Sequence, residues 1–139
     1  MSNKIAKPMA NKIVVDDGSK VYTIENKRGK VLGKFEFRPT DTNIVKRYEE
    51  VVEYYNSYQL PENPSDADMR KAEDDIMEKI SYLVGEDAKE TFFSILGAFS
   101  PLANGELYME NVLSSIAKVI EREMNIRTKK VQSRMNKYV

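Results

Sequence analysis

The densest group of acidic side chains in the sequence is Glu73-Asp74-Asp75 with Glu78 nearby. Converging carboxylate oxygens hold Mg²⁺ or Ca²⁺, and two carboxylates at a suitable separation hydrolyse glycosides. On a helix, however, Asp74 and Glu78 share a face while Asp75 points elsewhere, so the run predicts a solvated acidic face and an incomplete metal set. Phosphate cradles need clustered glycines ahead of a helix, and the six glycines are isolated, with neither G-x-x-x-x-G-K-S/T nor G-x-G-x-x-G present. His and Cys are both absent. Their absence excludes disulfides, zinc sites of the usual kind, thiol nucleophiles and the Ser-His-Asp arrangement. No catalytic residue, metal ligand or cofactor site is assigned, and the residue chemistry points to a non-catalytic binding protein.

The elements that must position any binding surface are legible from pattern. The 139 residues suit one domain, 41% apolar content can supply one core, and 32% charged residues with a mean hydropathy of −0.56 predict a well-solvated surface. No run approaches the length of apolar chain that spans a bilayer, and Met1 to Met9 lacks the apolar stretch of a signal peptide, so no membrane partner is expected. An imperfect repeat, Met1-Ser2-Asn3-Lys4-Ile5-Ala6 against Met9-Ala10-Asn11-Lys12-Ile13-Val14, is too short to be structural. Residues 1–11 are expected to form a mobile arm, and residues 12–139 a single α+β domain.

Within 12–38, β-branched and aromatic segments broken at Asp17-Gly18 and at Lys27-Arg28-Gly29-Lys30 predict a three-stranded antiparallel β-meander. Tyr22, Ile24, Phe35 and Phe37 fall on one face of it. Pro39 ends the last strand, and Thr40-Asp41-Thr42 offers side-chain oxygens to a helix start. The remainder, 43–139, reads as about four helices. Ile44, Tyr48, Val51, Val52, Tyr55 and Tyr58 make an apolar face on the first, which leaves only Tyr54 outside core spacing. Ser65 with Asp68 forms a capping box for the second, whose stripe is Met69, Ala72, Ile76, Ile80 and Leu83, closed by Gly85. Asp87 and Glu90 open a third, expected to run through Phe92, Phe93, Ile95 and Leu96 to Gly97. From about Glu106 a three-to-four spacing persists to Tyr138, predicting a terminal helix near 45 Å long at about 1.5 Å per residue.

That length exceeds what a compact domain of this size covers. Ile120, Met124, Val131 and Met135 continue the apolar stripe among basic residues that include Arg127 and Arg134. These six are the candidate partner-binding residues, a face able to lie in a partner's groove. Basic ends (+5 for 1–38 and +5 for 118–139) flank an acidic middle (−6 for 62–90) within a net charge of zero. Such a balance removes self-repulsion and favours a homo-oligomer. The basic tail lacks an aromatic stacking pattern and a helix-turn-helix, which argues against nucleic acid as the partner.

The order of parts then becomes specific. A small meander ends in Lys34-Phe35-Glu36-Phe37-Arg38-Pro39-Thr40-Asp41, and a helix carries Ile44 to Tyr48. Leu83-Val84-Gly85-Glu86-Asp87-Ala88 leads through Phe92-Phe93, and Leu102-Ala103-Asn104-Gly105 precedes a basic terminal helix. From about Ile13 onward this resembles the tail assembly chaperones of long-tailed, siphovirus-type phages and prophages of Firmicutes. The resemblance implies a non-enzymatic protein of the host bacterial cytoplasm, absent from the mature virion. Such a protein binds the tape measure protein and keeps its helices soluble until tail tube protein polymerises around it. It also implies a longer frameshifted product, for which Lys137-Tyr138-Val139 would be the junction. Two other classes stand beside it: a small nucleic-acid-binding regulator using the basic terminal helix, and a tail structural subunit.

Overall fold

The structure is a computed structural model that describes the backbone of residues 11–136 and the side chains of residues 11–125. Of the expected arm, residues 1–10 lie outside the described residues, as does the junction at Lys137-Tyr138-Val139.

Two strands, β1 (Lys20–Glu25) and β2 (Val31–Phe37), pair antiparallel, with Tyr22 opposite Phe35 and Lys20 opposite Phe37. Alternation sends Tyr22, Ile24, Phe35 and Phe37 to one face, as the spacing predicts. The turn between them is held by the Asn26 carboxamide oxygen, which accepts the N–H groups of Arg28 and Lys30 at 2.9 and 3.0 Å, and Gly29 supplies the left-handed residue. The expected third strand does not form among the described residues: Ile13, Val14 and Val15 belong to no sheet and are exposed. The carboxylates of Asp16 and Asp17 turn back onto the N–H groups of Gly18 and Ser19, and Arg38 holds Asp17 from beyond β2, so the chain bends where a strand would need to run straight.

Four helices follow. Helix α1 (Ile44–Ser57) starts at Asn43, whose own side chain makes no cap; Asp41 substitutes by accepting the Asn43 N–H at 2.9 Å. Helix α2 (Asp66–Val84) carries the capping box, with the Asp68 N–H donating to Ser65 Oγ at 3.1 Å and the Ser65 N–H to Asp68 Oδ2 at 2.9 Å. Gly85, at φ 80°, closes it in the left-handed conformation. The Ser81 hydroxyl, accepting the Ala88 N–H at 2.8 Å, fixes the angle at which α2 hands over to α3 (Ala88–Thr91).

Helix α3 is one turn long, not the longer element expected to Gly97. The N–H groups of Phe92 and Phe93 both donate to the Ala88 carbonyl, which ends the ladder, and turns carry the chain on. These turns place Phe92 inside the core. The segment then folds on itself: Leu102 donates to the Glu106 carbonyl, and the N–H groups of Tyr108 and Met109 donate to the carbonyls of Ser100 and Ala98. Helix α4 (Tyr108–Asn136) therefore begins in a fixed position, with Glu110 Oε1 accepting the Leu107 N–H at 2.8 Å. Its 29 residues extend about 44 Å at the usual rise.

One core joins all of this. Phe37 of β2, Ile44 and Val51 of α1, and Ile76, Ile80 and Leu83 of α2 meet Phe92, Ala98 and the α4 stripe Met109, Val112, Leu113, Ile116 and Ile120. Ile80 is fully buried at its centre, so Ile80→Ala should cost about 2–5 kcal/mol. Ser65→Ala, which removes a cap at the surface, should cost only about 1 kcal/mol. Urea unfolding of the two variants checks the ranking, and equal losses would contradict it.

Candidate functional site

The fold sends the carboxylates of the acidic run Glu73-Asp74-Asp75 to separate partners. Glu73 Oε2 accepts the Phe99 N–H at 3.1 Å, Asp74 faces Lys89 at 3.4 Å, and Asp75 Oδ2 is shared by Lys71 at 2.8 Å and the Tyr58 hydroxyl at 3.0 Å. Each carboxylate serves a different structural contact. Among the described residues no group of three or more His, Cys, Asp or Glu side chains comes together. No helix among them is long and apolar enough to cross a membrane.

The surface with the shape of a binding site is a groove between the hairpin and the first four turns of α4, with a volume of about 540 Å³. Its floor is aromatic. The Phe35 ring lies 6.0 Å from Tyr22, 5.7 Å from Phe37 and 5.1 Å, edge-on, from Phe92. Ile116 and Val119 form the α4 wall, and Leu32 and Leu96 stand partly exposed at the rim. Polar side chains also line it: Asn26, Asn104 and Asn111, the hydroxyls of Thr23 and Ser115, and the charged Glu25 and Lys27. Mainly apolar walls of this kind suit another chain's apolar face.

Three contacts tie the elements around the groove together. At one end Lys20 Nζ reaches Glu123 Oε1 at 3.1 Å, tying the start of β1 to α4. Near the other end the Tyr108 hydroxyl donates to the Phe92 carbonyl at 3.0 Å, and its ring meets Phe93 edge-on at 5.8 Å. Burial pushes the Tyr108 phenol up, so it stays a protonated donor at neutral pH. The third is the Phe35–Phe92 stack itself.

A second apolar hollow of about 410 Å³ lies between the end of α1, the start of α2 and the 99–107 segment, bounded by Tyr54, Tyr55, Tyr58, Met69 and Phe99. All three tyrosines are engaged. Tyr55 donates to Glu110 Oε2 at 3.4 Å and Tyr58 to Asp75. Tyr54, expected to be left over, packs edge-on against Tyr58 at 5.6 Å and lies under the Lys79 ammonium at 4.8 Å, so it too serves the fold.

Of the six predicted partner-binding residues, Ile120 is 8% exposed and belongs to the chain's own core, and Met124 is half-buried against it. The side chains of Arg127, Val131, Arg134 and Met135 lie outside the described residues, while the helical backbone continues through them to Asn136. The chain's own core thus covers the stripe at Ile120 and partly at Met124, where the partner-binding face is expected to begin. Sequence reading missed the groove: each of its walls shows as an ordinary amphipathic element, and nothing local signals the gap between them.

No protein-family profile matches the chain, and no curated protein or solved structure is significantly similar to it.

The Lys71 ammonium, then the Tyr58 hydroxyl, hold the Asp75 carboxyl below the ordinary carboxylate range. A carboxyl with a depressed folded pKa contributes stability above its unfolded value, near 3.9, and loses that contribution as pH falls through the folded one. Asp75→Asn should therefore lower the thermal midpoint at pH 7, with the gap to the wild type narrowing below about pH 4. A gap independent of pH in calorimetric scans would contradict this reading of the contact.

Proposed function

We propose that this chain is a tail assembly chaperone of a long-tailed phage or prophage. It acts without catalysis in the host cytoplasm, covering apolar helix faces of the tape measure protein until tail tube protein assembles around it. The observation that carries the reading is the apolar groove between the hairpin and α4, open to solvent and floored by Phe35 and Phe92. A tape measure helix would otherwise expose an apolar stripe and aggregate, and a groove of this character can accept such a stripe through i, i+3 and i+4 side chains. The order of hairpin, α1, α2 and terminal helix supports the same reading by its resemblance to those chaperones.

The helical backbone of α4 continues to Asn136, and Met124, Arg127, Val131, Arg134 and Met135 on that stretch are proposed as further partner contacts. Binding through many apolar contacts resists salt, whereas a regulator bound to nucleic acid weakens steeply because counterion release drives it. A tail structural subunit would instead build rings or tubes on its own.

Co-expression with the tape measure protein of the same phage tests the proposal. Leu32→Glu combined with Leu96→Glu places two charges on the groove rim at exposed positions. The pair should reduce co-purification by at least about tenfold while leaving the thermal transition within a few degrees. Truncation after Asn125 should also weaken the complex. In the wild type the complex should survive a rise from about 50 to about 200 mM salt. Undiminished co-purification by the rim variant would reject the groove as the docking surface.

A further inference from the structure

Three consecutive β-branched residues, Ile13, Val14 and Val15, are 90%, 81% and 72% exposed and belong to no strand. The sheet consists of β1 and β2 alone, and the outer edge of β1 carries no strand among the described residues. An open edge next to a free strand-forming segment is the condition for strand addition between chains.

The turn at 16–19 explains why the pairing is not made within one chain. Asp17 Oδ1 accepts both the N–H and the hydroxyl of Ser19, at 3.0 and 2.7 Å, and its other oxygen is held by Arg38, the residue that follows β2. The Ser19 contacts, then Arg38, keep this carboxyl well below the usual carboxylate range, so the turn stays charged and tied at neutral pH. Gly18 lies beside Thr40, also beyond β2. The chain therefore enters β1 from the β2 side, and residues 12–15 are led away from the outer edge of β1.

We propose that residues 12–15 add antiparallel to β1 of a second copy, and that the second copy returns the same segment, giving a two-fold strand exchange. One register satisfies every side chain. It sets Ile13 opposite Ile24 and Val15 opposite Tyr22 on the face that carries the groove, and Val14 opposite Thr23 on the outer face. It also pairs Lys12 with Glu25 at one end. Shifting by two residues sets Lys12 against Lys27 in one direction and Val15 against Lys20 in the other, and a shift by one turns Ile13 and Val15 to solvent. The occupant is thus a second copy of this chain, selected by matched apolar faces and complementary end charges. This inference does not rest on the chaperone reading, since it concerns only the chain's pairing with itself.

Light scattering on the full chain should give twice its 16.0 kDa mass. The chain has no cysteine, so Val14→Cys with Thr23→Cys reports the register directly. Mild oxidation should give a disulfide-linked dimer on a non-reducing gel. Val14→Pro, at an exposed position, should leave the circular dichroism spectrum unchanged and weaken the dimer by at least about tenfold. A monomeric wild type, a disulfide formed within one chain, or a dimer indifferent to Val14→Pro would each overturn the exchange.

Discussion

A two-stranded sheet cannot bury its apolar face by itself, and the contact that resolves this here is the edge-on packing of Phe35 against Phe92, with Phe37 enclosed in the helical core beside it. Phe37 is almost wholly enclosed, and Phe35 meets the Phe92 ring edge-on at 5.1 Å. Phe92 can take that position only because α3 stops after one turn, and α3 stops there in a place fixed by Gly85 and the Ser81 hydroxyl. Hairpin, α2 and the turn segment are in this way parts of one constraint.

That constraint leaves the sheet supported mainly along its β2 side. The β1 side is tied to α4 by Lys20–Glu123, and between these two supports lies the groove. The gap is a consequence of geometry: four large rings fill the floor, while the α4 wall opposite offers Ile116 and Val119, which are too short to close it. An apolar concavity of this kind is costly to leave wet, and its covering by another polypeptide supplies a driving force for association that needs no catalytic group.

Much of the fold was readable one element at a time. The capping box at Ser65 and Asp68, the closing glycine at position 85 and the stripes of α1, α2 and α4 depend on residues within a few positions of one another, and they stand where pattern places them. What failed was decided elsewhere in the chain. Ile13 to Val15 have the composition of a strand, but Arg38, distant in sequence, holds Asp17 and draws the segment off its expected edge. The third helix has a helical periodicity through Leu96, yet the Glu73 carboxylate and the Phe35 ring claim Phe99 and Phe92 for other purposes. The groove joins Tyr22 and Ile24 to Tyr108 and Val119, and a juxtaposition across that much chain leaves no trace in local spacing. Ile120 shows the converse: its place on a continuing stripe looks the same whether the chain's own core or a partner covers it.

The central claim is that another protein's apolar helix seats between the hairpin and α4, and amide hydrogen exchange on the chain with and without the proposed tape measure partner tests it most directly. The account predicts new protection along the 92–104 segment and residues 108–119 together. Protection confined to α1 and α2, with those two segments exchanging as in the isolated chain, would contradict it.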